Sequence, residues 1–90
     1  MTATLGDIDR YIAEGQTKGA RWVIVAVDRW DHCNYPIFVK ADEDFWAKYP
    51  DGSNMQGCDE TYDLQHPSVP VSDQRAERRA HYEPPRGETS

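Results

Sequence analysis

Six consecutive apolar residues, Trp22 to Val27 (WVIVAV), set the strongest constraint on how this chain folds. Most are β-branched or aromatic and none alternates with a polar residue, which is the pattern of a strand removed from water on both faces. Such a strand belongs in the middle of a sheet. Successive side chains of a strand point to opposite faces, so Trp22, Ile24 and Ala26 go one way and Val23, Val25 and Val27 the other. Both sets need cover.

The flanking sequence supplies candidates for that cover. Leu5, Ile8 and Ile12 recur at the spacing of one helical face behind a Thr4–Asp7 start signal, and the helix they predict ends at Gly15 or at Lys18–Gly19. Pro36 to Lys40 predicts a second strand, opened by a proline that strand starts and edges tolerate. Asp42 is placed to cap a second helix with Glu43 and Asp44 in its first turn. Phe45, Trp46 and Tyr49 give it a buried side, and Pro50-Asp51-Gly52 stops it. Met55 to Leu64 predicts a third strand, and His66 to Pro70 an extended linker. Ser72 is placed to cap a last, marginal helix running to Tyr82 before Pro84-Pro85.

This order predicts an α+β fold: a two-layer sandwich with a three-stranded antiparallel sheet in order 2-1-3 and the first two helices on one face. The other face of Trp22 to Val27 is then bare. A second copy of the sheet packing on it, giving a homodimer, is favoured over the Val69 to Val71 segment folding back. Aliphatic side chains concentrate between Leu5 and Leu64, which sets residues 1–65 as one domain and 66–90 as a proline-containing arm. On that division, truncation after Leu64 or Gln65 leaves the domain folded.

Charge narrows the partners. The formal charge is −6, and residues 1–65 carry twelve carboxylates against six basic side chains, whereas the arm is balanced. An acidic body repels nucleic acid and anionic membrane and favours basic or neutral partners. No run is long and apolar enough to span a bilayer. Asp7, Asp9 and Arg10 interrupt what would otherwise be a secretory leader, so the cytoplasm is the expected location and Cys33 and Cys58 are expected as thiols.

WVIVAV followed by Asp28, the pair Trp30-Asp31, Tyr35-Pro36, the acidic helix start and Asn54-Met55-Gln56 together resemble a recurrent family of small bacteriophage proteins of unknown function. The resemblance covers about residues 18–64. It implies a phage origin, a similar small α/β domain and the host cytoplasm as location, and it transfers no active-site residue. The sequence departs from it at Cys58-Asp59-Glu60, which is more polar, and in the arm.

Chemistry-bearing groups have structural explanations beside them. His32, Cys33, Cys58 and His66 are zinc-type ligands, but adjacent His32 and Cys33 rarely reach one ion and no Cys-x-x-Cys is present. Asp28, Asp31 and His32 suit acid–base chemistry and equally suit a polar turn. Asp42, Glu43, Asp44 and Asp51 lack the ligand spacing of a calcium loop. No catalytic residue, cofactor or metal is therefore assigned. The expected function is a small acidic accessory protein that binds another protein, with a host protein as candidate, and is not an enzyme. Its contact residues are Trp30, Asp31 and Tyr35 at the strand connection, with Arg75, Arg78, Arg79 and Tyr82 as a helical stripe in the arm. The alternatives are a small enzyme or metal protein using the Asp28–Cys33 loop, and a minor virion component.

Overall fold

A computed structural model describes residues 5–28, 30, 33–50, 56–77 and 80–84. Three helices and three strands follow in the order α1 (Leu5–Thr17), β1 (Trp22–Asp28), β2 (Cys33–Val39), α2 (Phe45–Lys48), β3 (Gln56–Asp63) and α3 (Val71–Ala76). The sheet is antiparallel, with strand order β2-β1-β3. The α+β class and the sheet order are those the sequence predicts.

The central strand fares as its composition requires. Trp22 to Ala26 are all buried, with Val23, Ile24 and Ala26 at zero exposure. On one face Val23 and Val25 pack with Ile8, Tyr11 and Ile12 of α1, with Tyr62 of β3 and with Ala80. On the other, Trp22 and Ile24 pack with Val39 and Phe45, flanked by Ile37, Trp46, Tyr49 and Cys58.

Two helices do share one face, but the pair is α1 and α3, not the first and second helix. Val71 of α3 joins the cluster under α1, and Arg75 Nε donates to Asp9 Oδ1 of α1 at 2.7 Å. The second helix lies on the opposite face. Four residues suffice there because two are aromatic and Tyr49 follows them: Phe45 meets the edge of Trp22 at 5.3 Å, and Trp46 and Tyr49 stand 4.8 and 5.6 Å from Phe45. Its cap is Asp44, whose Oδ1 accepts from the N–H groups of Trp46 and Ala47, and not Asp42. Glu43 instead accepts from the Lys40 N–H at 2.8 Å, and that bond holds its carboxyl below the usual range.

With both faces of β1 covered inside one chain, the bare face that favoured a sheet-to-sheet dimer does not exist. The face expected to be bare is covered by α2, and of the Val69–Val71 segment Val71 packs on the opposite face, the one shared with α1. The arm goes further. Thr61 N–H donates to Ala80 O and Tyr82 N–H to Thr61 O, a parallel bridge between Thr61 and His81 that occupies the outer edge of β3. Gln74, fully buried, accepts from Asp63 N–H at 2.9 Å and donates to Asp63 O at 2.7 Å and Val69 O at 2.9 Å. The last helix ends at Ala76, where Glu77 turns extended and closes the turn on Gln74 O. Thr4, Asp51, Gly52, Asn54, Met55 and Pro85, which carried boundary or resemblance signals, lie outside the described residues.

β3 carries one irregularity with consequences. Val25 pairs with Glu60 and Ala26 with Cys58, so Asp59 is an extra residue, a β-bulge. It reverses the alternation beyond it. Cys58 consequently shares the α2 face with Thr61 and Asp63, which pair with Ile24 and Trp22.

α1 approaches the sheet closely at Gly15, where a Cβ would stand 2.8 Å from Val23 Cγ2 and 3.2 Å from Leu64 Cδ1. Gly19 beyond it takes a positive φ of 75° and ends the helix. Gly15→Ala gains about 1 kcal/mol in helix propensity and meets an overpacking cost of about 1–3 kcal/mol, because Val23 has no room to yield. A net loss is expected in urea melts; an unchanged or raised midpoint would mean that α1 stands off the sheet.

The docked arm reverses the expected effect of truncation. A chain ending at Gln65 loses Gln74, Val71, Ala80 and Tyr82 from the packed structure and is expected to lose cooperative melting. Gln74→Ala in the full-length chain leaves the Asp63 amide and carbonyl without these partners and costs about 2–4 kcal/mol. A full-length-like melt of the truncated chain would disprove the docking.

Candidate functional site

The start of β1, the end of β3 and the docked arm enclose a cleft of about 420 Å³. Arg21, Trp22 and Asp63 form its strand side, and His66, His81 and Glu83 bring the titratable groups of the arm. Tyr82 and two prolines, Pro67 and Pro84, complete the wall.

Asp63 is the fixed charge of the site. Its side chain is 6% exposed and takes a two-pronged bond from Arg21, Nε to Oδ1 and Nη2 to Oδ2, each 3.2 Å. The Gln65 N–H donates to Oδ1 as well, at 3.0 Å. Burying a carboxylate is costly unless it is paired and hydrogen-bonded in this way. The Arg21 guanidinium also lies 4.6 Å from the centre of the Trp22 ring. The Trp22 Nε1–H, buried, has no hydrogen-bond acceptor among the described residues.

The imidazoles differ in what holds them. His66 Nδ1 accepts from the N–H groups of Ser68 and Val69 at 3.0 and 2.9 Å, so this ring caps its own turn, with an edge against Tyr82 at 5.5 Å. His81 Nδ1 lies 2.8 Å from Glu83 Oε2. Strand alternation explains that pair. Ala80 and Tyr82 point into the core beneath α1, which turns His81 and Glu83 to the other side, where Cys58 sits. The ligand atoms of Cys58, His81 and Glu83 all lie within 4.8 Å of one another.

Cys58 is half-buried, with Sγ 3.3 Å from Thr61 Oγ1 and 3.4 Å from Glu60 O. Burial pushes its thiol up, against a smaller downward pull from hydrogen bonds to Thr61 and Tyr49. A thiol activated for nucleophilic attack is shifted the other way.

The residues singled out in the sequence are scattered. Trp30 is 76% exposed at the β1–β2 connection, its N–H bound to Asp28 Oδ1 at 2.9 Å. That bond is turn chemistry and uses the carboxylate offered for acid–base work. Tyr35 is half-buried on β2 opposite Ala26, its hydroxyl pushed up by burial and by the Asp28 charge. Asp31, His32, Arg78 and Arg79 lie outside the described residues. Arg75 and Tyr82 do not form one helical stripe, because α3 ends at Ala76 and Tyr82 follows in extended chain. Arg75 ties α3 to Asp9 and stands 5.8 Å over the Tyr62 ring. Cys33 is exposed at the start of β2.

His81 and Glu83 were missed in the sequence because the segment was given to a frayed helix. The available signal was Pro84, which biases Glu83 to extended backbone and His-x-Glu to one side of it. The chain matches no protein-family model, no curated protein and no solved structure. The bacteriophage resemblance rests on the quoted residues alone.

The two thiols are expected to react unequally. The thiolate is the reactive form, and a raised thiol half-buried on β3 offers less of it at neutral pH than an exposed one. Under limiting iodoacetamide, peptide mapping is expected to find Cys33 alkylated well before Cys58. Equal rates would show that Cys58 is neither buried nor raised.

Proposed function

We propose that this chain is a small acidic accessory protein that acts by binding another protein, without catalysis of its own, and that Trp30 anchors the contact. The exposure of Trp30 carries this reading. A large aromatic ring left in water is unfavourable for the chain alone, and tryptophan is the residue on which interface energy most often concentrates. The Asp28–Trp30 bond ties the Trp30 backbone to the end of β1, which lowers the ordering cost of binding. Tyr35, half-buried on the adjoining strand, and Asp31 extend the proposed contact.

The net charge of −6 favours a basic or neutral partner. No helix among the described residues is long and apolar enough to cross a membrane. If the phage resemblance reflects origin, the partner is a host protein and the setting the host cytoplasm. The rival is an enzyme or metal protein built on the Asp28–Cys33 loop, where Asp28 Oδ1 accepts the Trp30 N–H, a bond that turn chemistry explains.

Trp30→Ala is expected to leave the melting temperature unchanged, because the ring contributes little to the core. The same variant is expected to weaken partner binding by about 2 kcal/mol or more. Parallel captures from host lysate with the wild-type and variant chains, quantified by mass spectrometry, check it. A specific protein kept by the first and lost by the second supports the reading, and identical captures refute the Trp30 anchor. Recovery of the chain in purified virus particles would favour a virion component instead.

A further inference from the structure

We propose that Cys58, His81 and Glu83 form a binding site for a zinc-class divalent cation, and that the bound ion clips the docked arm to β3. The donors are a thiol, an imidazole and a carboxylate, one from each residue, within 4.8 Å of one another. Thiolate and imidazole together select zinc over magnesium or calcium, and a carboxylate is an ordinary third ligand. Zinc holds sulfur at about 2.3 Å and nitrogen or oxygen at about 2.0–2.2 Å, which sets neighbouring donors about 3.3–3.6 Å apart in a tetrahedron. Closing the set takes a movement of about 1 Å, within reach of a half-exposed His81 ring.

The site is built into the fold by two independent features. The bulge at Asp59 turns Cys58 onto the α2 face, and the Thr61–His81 bridge fixes the arm in the register that brings His81 and Glu83 to the same side. His81 Nδ1 and Glu83 Oε2 stand 2.8 Å apart as a hydrogen-bonded pair, so if both atoms ligate, the ion replaces the shared proton and the two spread by about half an ångström. The Thr61 hydroxyl lies 3.3 Å from the Cys58 sulfur, where it can hydrogen-bond a thiolate ligand from outside the metal's shell. Three protein ligands leave a fourth position open, as in zinc sites that bind a water or a ligand group. His81 and Glu83 also line the cleft.

This set shares only Cys58 with the group assembled from the sequence. His66, from that group, has its Nδ1 occupied by two backbone N–H groups, and Cys33 lies at the start of β2. The proposal does not depend on the Trp30 contact, and its test involves no protein partner.

Full-length protein stripped with chelator and kept reduced is titrated with Zn²⁺ by equilibrium dialysis and with Co²⁺ by absorption. The expected result is one ion per chain, with a thiolate-to-cobalt band in the near ultraviolet and visible bands of four-coordinate Co²⁺. Bound Zn²⁺ is expected to raise the melting temperature and to protect the 77–84 segment from proteolysis. Cys58→Ser, His81→Gln and Glu83→Gln are each expected to weaken Zn²⁺ binding at least about tenfold, since even outer partners of a metal matter by about 10–100-fold. Cys33→Ser is expected to change nothing. The metal-free melts of the variants separate lost ligation from lost folding: Glu83→Gln preserves the shape of the side chain and decides the matter should Cys58→Ser fail to fold. Absence of stoichiometric Zn²⁺ binding, a cobalt band lost with Cys33 and not with Cys58, or binding unchanged in Glu83→Gln would each overturn the proposal.

Discussion

The apolar central strand is the constraint on which everything else here depends. Ile24 and Val23 point to opposite sides of one sheet and both reach zero exposure, so cover has to be found on two faces by a chain with few large aliphatic residues. The solutions are economical in different ways. α1 comes close enough for its Gly15 to touch Val23, while α2 spends four residues and relies on ring size. Where α1 runs out, the arm finishes the same face with Val71, Ala80 and Tyr82.

Docking the arm raises a second problem, because it covers polar backbone on β3 that water would otherwise satisfy. Gln74 answers it for Asp63, pairing with both its N–H and its C=O, and Ala80 and Tyr82 answer it for Thr61. The same Asp63 then presents its carboxylate to Arg21 on the cleft side. One residue thereby joins the structural tie to the wall of the site.

How much of this was readable follows from the range over which each feature is encoded. Local pattern was enough for WVIVAV as centre and for Leu5, Ile8 and Ile12 as one helical face, and placing the apolar strand between the other two gave the order 2-1-3. The side taken by α2 was not readable: four residues carry no period, and their aromatic rings fit either face. Plain alternation places Cys58 with Glu60 and Tyr62, and only the bulge at Asp59, a feature of the pairing with Val25 and Ala26, moves it to the side of Thr61. Gln74 is a polar side chain at zero exposure, the opposite of what hydropathy marks as core. Arg75 had the look of a binding cation and serves to join α3 to α1.

The arm also shows why structural and chemical readings of one segment need not compete. Extended chain alternates, so a stretch that buries Ala80 and Tyr82 must aim His81 and Glu83 away from that core. The packing of Ala80 and Tyr82 sets the side to which His81 and Glu83 turn, and leaves the exposed His81 ring room to adjust. In a mobile tail, His-x-Glu would be two solvated side chains; against β3 it becomes two converging donors beside a thiol. Anything that binds them binds the docked state of the arm in preference to the undocked one, and so adds its binding free energy to the stability of the fold. The cost of ordering that segment is already met by the apolar contacts of its neighbours, which is the condition under which a short, weakly apolar sequence can hold a ligand at all.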